Sequence, residues 1–308
     1  MVPPDRQAPG AAAVALMVLL CALWGLQQVA VKVGIAGISP VFQMGLRSAV
    51  AAVLVLAWSR WRRLPLFRAD GTLGAGLAAG LLFAGEFACI YVGLAYTTAS
   101  RMIVFLYTAP CFTVLGLHWF VAGERIGPRH LAGVMLAFGG IVLAFAEGWS
   151  RGGHWVGDGM GLLAAIFWAA TTVLIRATAL AGASAAKVLL YQLSVSAVLA
   201  GPLSLLMGEP GIIAATPVVL LALAYQAVVV AFASYLAWFW LLTKYLAGRL
   251  MVFSFLTPLF GVAFGVLLLG EGMSALFGLA ALMVVAGIAL VNAGPSVRPA
   301  PASPEAGS

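Results

Sequence analysis

The chain has 308 residues, of which 64% are hydrophobic and 8% charged, far from the roughly 45–50% apolar and about 25% charged residues of soluble domains. This composition excludes a soluble globular protein and calls for a lipid bilayer as partner. In a soluble protein the formal charge of +7 would point to nucleic acid, but in a chain this apolar it reports which links face the cytoplasm.

A helix needs about 20 residues to cross a hydrocarbon core of roughly 30 Å. Ten windows of that size fit between charges, prolines and glycine clusters: 11–33, 40–59, 72–93, 98–121, 128–146, 158–178, 186–207, 217–241, 248–269 and 274–292. The first follows a short polar head at 1–10. It is longer than a signal-peptide core and no small-residue cleavage site closes it, so it reads as a span. Links are short, and the Pro/Ala/Ser-rich tail at 293–308 is expected to be disordered. Cys21, Cys89 and Cys111 fall inside apolar runs without the spacing of metal or redox sites, so neither a disulfide nor zinc is expected.

With the N-terminus inside, cytoplasmic segments collect Arg6, the Arg60 to Arg68 cluster, Arg125 and Arg129, Arg176 and Lys187, Lys244 and Arg249, and Arg298. Lys32, Arg101 and Arg151 fall outside and Arg47 lies within a span. The excess of cations places both termini in the cytoplasm.

One stretch occurs twice. Ala99 to Pro110 and Ala247 to Pro258 share Ala, Arg, Val, Phe and Pro at five of twelve positions, and each runs on through an apolar helix to a Gly-Glu stop, Gly123-Glu124 and Gly270-Glu271. A second correspondence sets Trp24, Gln27-Gln28 and Lys32 against Trp168, Thr171-Thr172 and Arg176. Spans one to five thus repeat as six to ten, in units 11–147 and 158–292. Because five is odd, the copies lie in opposite orientations. Inverted repeats around a midplane site are a common architecture of carriers that alternate access.

Leu23-Trp24-Gly25, Lys32, Pro40, Arg47, the Ala99 to Pro110 segment, Gly123-Glu124 and Gly139-Gly140, in this order and duplicated, resemble the EamA-type repeat of the drug/metabolite transporter superfamily. The second copy departs from the pattern where Ser196 stands in place of Arg47. The resemblance covers nearly the whole chain, comes nearest to bacterial exporters of amino acids, the aromatic branch included, and implies ten helices around a central cavity and efflux of small solutes. It leaves the energy source open.

Polar side chains at mid-bilayer must face protein or a water-filled cavity. On that ground Trp24, Gln27 and Gln28, and their counterparts Trp168, Thr171 and Thr172, are candidate cavity residues, with helix-to-helix hydrogen bonding as the bland alternative. Glu86 is the one carboxylate well inside a span. It reads as a counter-ion for a substrate ammonium, as a protonatable coupling group, or as half of an ion pair with Arg47 or Lys32. Phe83, Tyr235 and Trp238 share helix faces with polar residues or recur at mid-span. Tyr107, Thr108 and Phe253, from the duplicated segment, complete the candidate substrate contacts. Pro110 and Pro258 stand mid-span and free the carbonyls of Leu106 and Ser254, which suits either a hinge or a static bend. Arg47 reads as structural, and Gly76-x-x-x-Gly80 and Gly261-x-x-x-Gly265 as helix-packing motifs.

The sequence therefore describes an all-α integral membrane protein of ten transmembrane helices in two inverted five-helix repeats, in a bacterial inner membrane. The expected function is carrier-type export of small metabolites, amino acids including aromatic ones foremost, without a cofactor or metal. The expected partners are the small-molecule substrate and the bilayer, with protons open as coupling ion and the protein a monomer or homodimer. A drug or other metabolite transporter of the same fold is the alternative, and a water-filled channel one of another class. An intramembrane enzyme is disfavoured because no nucleophile-base pair or ligand spacing occurs.

Overall fold

The computed structural model describes residues 10–120, 127–150, 154–245 and 252–292. The head up to residue 9, Gly123-Glu124 and the tail at 293–308 lie outside the described residues. Every regular element among the described residues is helical. The first half holds α1 (Ala11–Ile35), α2 (Pro40–Trp61), α3 (Leu73–Tyr96), α4 (Ala99–Leu106), α5 (Ala109–Phe120) and α6 (Pro128–Ser150). The second holds α7 (Trp155–Ala177), a 3-10 turn (Ala179–Gly182), α8 (Ala185–Leu206) and α9 (Pro217–Ala224). A π-helical stretch (Tyr225–Ser234) then leads into α10 (Tyr235–Lys244), and a 3-10 turn (Val252–Phe255) precedes α11 (Leu256–Leu269) and α12 (Ala275–Asn292). Among the described residues, seven helices are long and apolar enough to cross a membrane, counting α4 with α5 and α9 through Trp238 as one span each. Three shorter apolar helices, Pro128–Ala144, Leu256–Leu269 and Ala275–Val291, accompany them.

Helices begin where the sequence supplies acceptors for their first N–H groups. The hydroxyls of Thr98, Ser184 and Thr216 accept from the amides of Arg101, Lys187 and Val219. Two glutamates instead cap a helix other than their own. Just past α8 and α11 the chain turns through Gly208 (φ +67°) and Gly270 (φ +65°), a left-handed conformation that glycine adopts without steric cost. The residue that follows each is a glutamate. Glu209 accepts from the amides of Val41 and Phe42, both at 3.0 Å, at the start of α2. Glu271 accepts from those of Ala99 (2.7 Å) and Ser100 (2.9 Å) at the start of α4. A carboxylate at such a site satisfies orphan donors and meets the positive end of the helix dipole. The Gly-Glu stop at 270–271 is thus a turn followed by a cross-link to another helix.

The principal packing pairs join the two halves: α1 with α11, α5 with α7, α2 with α8, α3 with α7 and α8, and α6 with α12. Small residues permit the close approaches. A Cβ on Gly133 would lie 2.7 Å from the Gly287 carbonyl oxygen, and one on Gly287 would lie 2.5 Å from that of Gly133, so α6 and α12 touch backbone to backbone. Gly76 and Gly80 leave room for Tyr191 and Val195 of α8.

Charges fasten both ends of the bundle. Arg101, at the start of α4, is buried and donates from Nε and Nη2 to Asp158 of α7, from Nη1 to Glu147 of α6 and from Nη2 to the Ala144 carbonyl, its shortest contacts at 2.5 Å. Thr97 donates to the same aspartate (2.8 Å) and Ser274 to the same glutamate (3.0 Å). Lys32, one of the partners considered for Glu86, instead donates to the carbonyls of Leu94 and Thr97 at the end of α3. At the opposite end Lys187 donates to the Arg68 carbonyl (2.9 Å) and to both oxygens of Asp70 in the α2–α3 link. Lys187 and then Thr72 hold the Asp70 carboxyl below the usual carboxylate range, at about 2.

Removing the cation from the Arg101 cluster leaves two buried carboxylates uncompensated. Arg101→Met is expected to destabilise the protein by about 3–5 kcal/mol, seen as a fall of several degrees in the thermal midpoint in detergent. An unchanged midpoint would contradict the role given to this cluster.

Candidate functional site

Three irregular stretches of backbone shape the middle of the bundle. The first separates α4 from α5. The helix stops outright at Leu106, earlier than a kink at Pro110 would require, and the turn at Tyr107-Thr108 is held by the Thr108 amide and hydroxyl, which donate to the Phe105 carbonyl at 3.2 and 2.6 Å. Pro110 then sits in the first turn of α5, where its missing N–H costs nothing. In the second half the 3-10 turn stands at the same place, and Pro258 lies in the first turn of α11.

The third is the π-helical stretch, which α1 side chains and carbonyls hold along its length. Tyr225 donates to the Leu23 carbonyl (2.7 Å) and Gln226 to that of Ala30 (3.0 Å). Trp24 Nε1 donates to the Ser234 hydroxyl (2.9 Å), which donates in turn to the Val230 carbonyl (2.6 Å). The hydroxyl of Tyr91 and the amide of Gln43 both donate to the Gln226 side-chain oxygen. These wide turns set the phase at which Tyr235 and Trp238 emerge from the element.

Between these stretches lies a cavity of about 640 Å³. Trp24, Gln27 and Gln28 of α1 line it together with Phe83 and Glu86 of α3. Tyr107 at the first break, Trp168, Thr171 and Thr172 of α7, and Tyr235 and Trp238 of α10 complete the predicted residues found in its wall. Thr108 and Phe253 lie elsewhere. Thr108 is buried against the backbone it caps, and Phe253 packs in a cluster with Cys21, accepting the thiol at its carbonyl (3.3 Å). Pro110 and Pro258 are likewise outside the lining. The cavity also takes in Met17, Ile90, Arg176, Gln192 and Ser254, none of them singled out from sequence as site residues. Gln192, an amide within an apolar helix, carried a legible signal; the others did not.

The wall is mainly aromatic. Trp24 stands edge-on to Trp238 (centroids 5.9 Å apart) and Trp168 edge-on to Tyr107 (5.3 Å), with Phe83 beside Phe87 (4.5 Å). Edge-to-face pairs of this kind fix ring orientation. Thr171 and Thr172 donate back to the carbonyls of Phe167 and Trp168, which leaves hydroxyl lone pairs for a ligand. Glu86 is 7% exposed, and no hydrogen bond or ion pair joins it to Arg47 among the described residues. Residues of the α7–α8 link, Leu180, Ala181 and Ala183, also belong to the lining. The cavity therefore runs from mid-bundle to the end that carries this link, while the Arg101 cluster closes the other end. Among the described residues no group of three or more His, Cys, Asp or Glu side chains could hold a metal ion.

The profile of the EamA-like transporter family matches residues 11–146 and again 155–293. The chain belongs to this family. It is accordingly a multi-pass membrane transporter rather than an enzyme, and its substrate is a small molecule. An "Uncharacterized transporter" from Archaeoglobus fulgidus is 25% identical over 90% of this chain and 96% of its own length. A "Probable amino-acid metabolite efflux pump" from Salmonella typhimurium is 28% identical over 89% and 92%. A solved crystal structure of a protein superposes with a TM-score of 0.64 at 18% identity, covering 91% of this chain and 97% of that one; at that identity the likeness speaks for the fold alone.

The direction in which the cavity opens can be read with introduced thiols. In a background with Cys21, Cys89 and Cys111 replaced by serine, Thr172→Cys is expected to react with an impermeant maleimide in detergent. Ser100→Cys, buried beneath Glu271 at the closed end, is expected to react at least tenfold more slowly, as burial of this kind protects until local opening. Equal rates would contradict the described closure.

Proposed function

We propose that this chain is a carrier that exports small metabolites from the cytoplasm, amino acids with apolar or aromatic side chains foremost, by alternating access. The observation that carries this reading is the mid-bundle cavity itself. Its about 640 Å³ lies within the range of sites for small organic ligands, and its wall is largely apolar with a few placed polar groups. A carboxylate for an ammonium, amides and hydroxyls for a polar headgroup and aromatic edges for a side chain suit an amino acid. The efflux-pump name of the Salmonella typhimurium relative supports the same substrate class.

In this reading the seven long helices and three shorter ones make ten spans in two inverted repeats, 11–147 and 158–292. The exchange of partners between halves supports it: α1 packs on α11 as α7 packs on α5, and α1 and α7 each present a tryptophan followed by two polar residues to one cavity. Lys/Arg placement puts both termini and the α7–α8 link in the cytoplasm of a bacterial inner-membrane protein. The described conformation then faces inward, with the Arg101 cluster shutting the outer side. The breaks before Pro110 and Pro258 are the hinge positions, and Glu86 is the group through which protons would couple to transport.

Counter-flow in proteoliposomes tests this. With unlabelled amino acid inside and trace labelled phenylalanine, threonine or methionine outside, the labelled species is expected to accumulate and to be competed by other amino acids. Glu86→Gln is expected to lower the rate roughly tenfold or more, the worth of a charge-assisted contact, and to flatten its pH dependence. Absence of counter-flow with every amino acid in folded protein would remove the amino acid assignment.

A further inference from the structure

The two buried arginines of the bundle are provided for in opposite ways. Arg101 has protein acceptors at Nε, Nη1 and Nη2. Arg47 of α2 is 0% exposed, yet Nε, Nη1 and Nη2 are all without a hydrogen-bond partner. Its guanidinium lies face-on over the Phe87 ring, 4.1 Å from the centroid. The Tyr235 hydroxyl approaches it without completing a well-formed hydrogen bond, and the Glu86 carboxylate is close enough for their charges to interact. Phe87, Tyr235 and Glu86 are all wall residues of the cavity. Arg47 therefore stands directly behind the wall, covered by one aromatic ring. At the corresponding position of the other half Ser196 bonds to Ser48 at 3.0 Å, so the cation is present on one side only.

A buried guanidinium without acceptors is costly in a helical bundle and marks a missing partner. A second unmatched group faces the same region: Gln28, in the cavity wall, has a buried side-chain oxygen without a donor. Acceptors without donors, Glu86 and the Gln28 oxygen, thus stand beside donors without acceptors, on Arg47. A ligand that supplies an ammonium and a carboxylate a few ångströms apart would complete both sets.

We propose that Arg47 is the specificity-determining residue that reads the free carboxylate of the substrate, reached when the Phe87 ring turns aside, while Glu86 and Gln28 take the ammonium. This rests on the amino acid export reading and sharpens it to zwitterions. The site rejects amines and esters because they leave the guanidinium unpaired, and a site built to bond a group discriminates strongly against ligands that lack it. Planar, bidentate carboxylate recognition is also what arginine provides and lysine does not.

The test uses full-length protein in proteoliposomes and counter-flow of labelled phenylalanine, with phenylalanine, phenylalanine methyl ester and phenethylamine as competitors. For the natural chain, phenylalanine is expected to compete at a concentration at least about tenfold lower than either analogue, the worth of one charge-assisted contact. In Arg47→Met the KM for phenylalanine is expected to rise to that of the ester, with the ester unaffected, and Arg47→Lys is expected to fall between. The competition series on the natural chain decides the matter even if both variants fail to fold. Equal competition by ester or amine, or an Arg47→Met protein that keeps the preference for phenylalanine, overturns the carboxylate assignment and leaves export standing. No counter-flow with any amino acid overturns both.

Discussion

A bilayer offers no water to an interrupted backbone or an isolated charge, and this requirement organises the molecule more than any apolar contact does. Lipid is as apolar as leucine, so hydrophobic burial does not hold these helices together; close packing and internal polar bonds do. The helix starts of α2 and α4 are satisfied by carboxylates delivered from the far half of the chain. The end of α3 is satisfied by a lysine from α1. Each bond that saves a backbone group from hydrocarbon also joins two elements that are distant in sequence, so satisfying the chain and assembling the bundle are one process.

The same rule explains why the irregular backbone lies at the centre. Broken and widened turns are tolerated only where protein or an aqueous cavity surrounds them. Here the α4–α5 break and the 3-10 turn before α11 sit beside the cavity, while the π-helical stretch is braced along its length by α1, α2 and α3. The Arg101 cluster at one end and the cavity mouth at the other make the bundle tight on one side and open on the other. In the proposed inverted repeat, the alternate conformation would exchange these properties.

Much of this was readable from the chain. Long apolar windows fixed the helices, because length and apolarity are what a bilayer selects. The Trp24 and Trp168 faces were legible because a polar pair three to four residues from a tryptophan has one place to go in an apolar span. Long-range bonds were not legible. Glu271 was visible as a stop signal, but its acceptor role at α4 depends on how α11 crosses the bundle. The Arg101–Asp158–Glu147 cluster joins three helices whose sequence positions carry no mark of adjacency. Thr108 fell off the cavity because the break after Leu106 restarts the helix and resets its rotational phase. Arg47 was ambiguous, since an arginine in an apolar run snorkels or is buried according to neighbours that the sequence does not specify.

The π-helical stretch has a consequence for how this wall changes over evolutionary time. A π turn is an α turn carrying surplus residues, and its hydrogen bonds reach one residue further. Loss of one residue between Tyr225 and Ser234 would let the segment relax to an α-helix and turn everything after it by about 100°. Tyr235 and Trp238 would leave the wall while every other lining residue stayed in place. Here a single-codon deletion would rewrite one face of the cavity, whereas most substitutions would only adjust it.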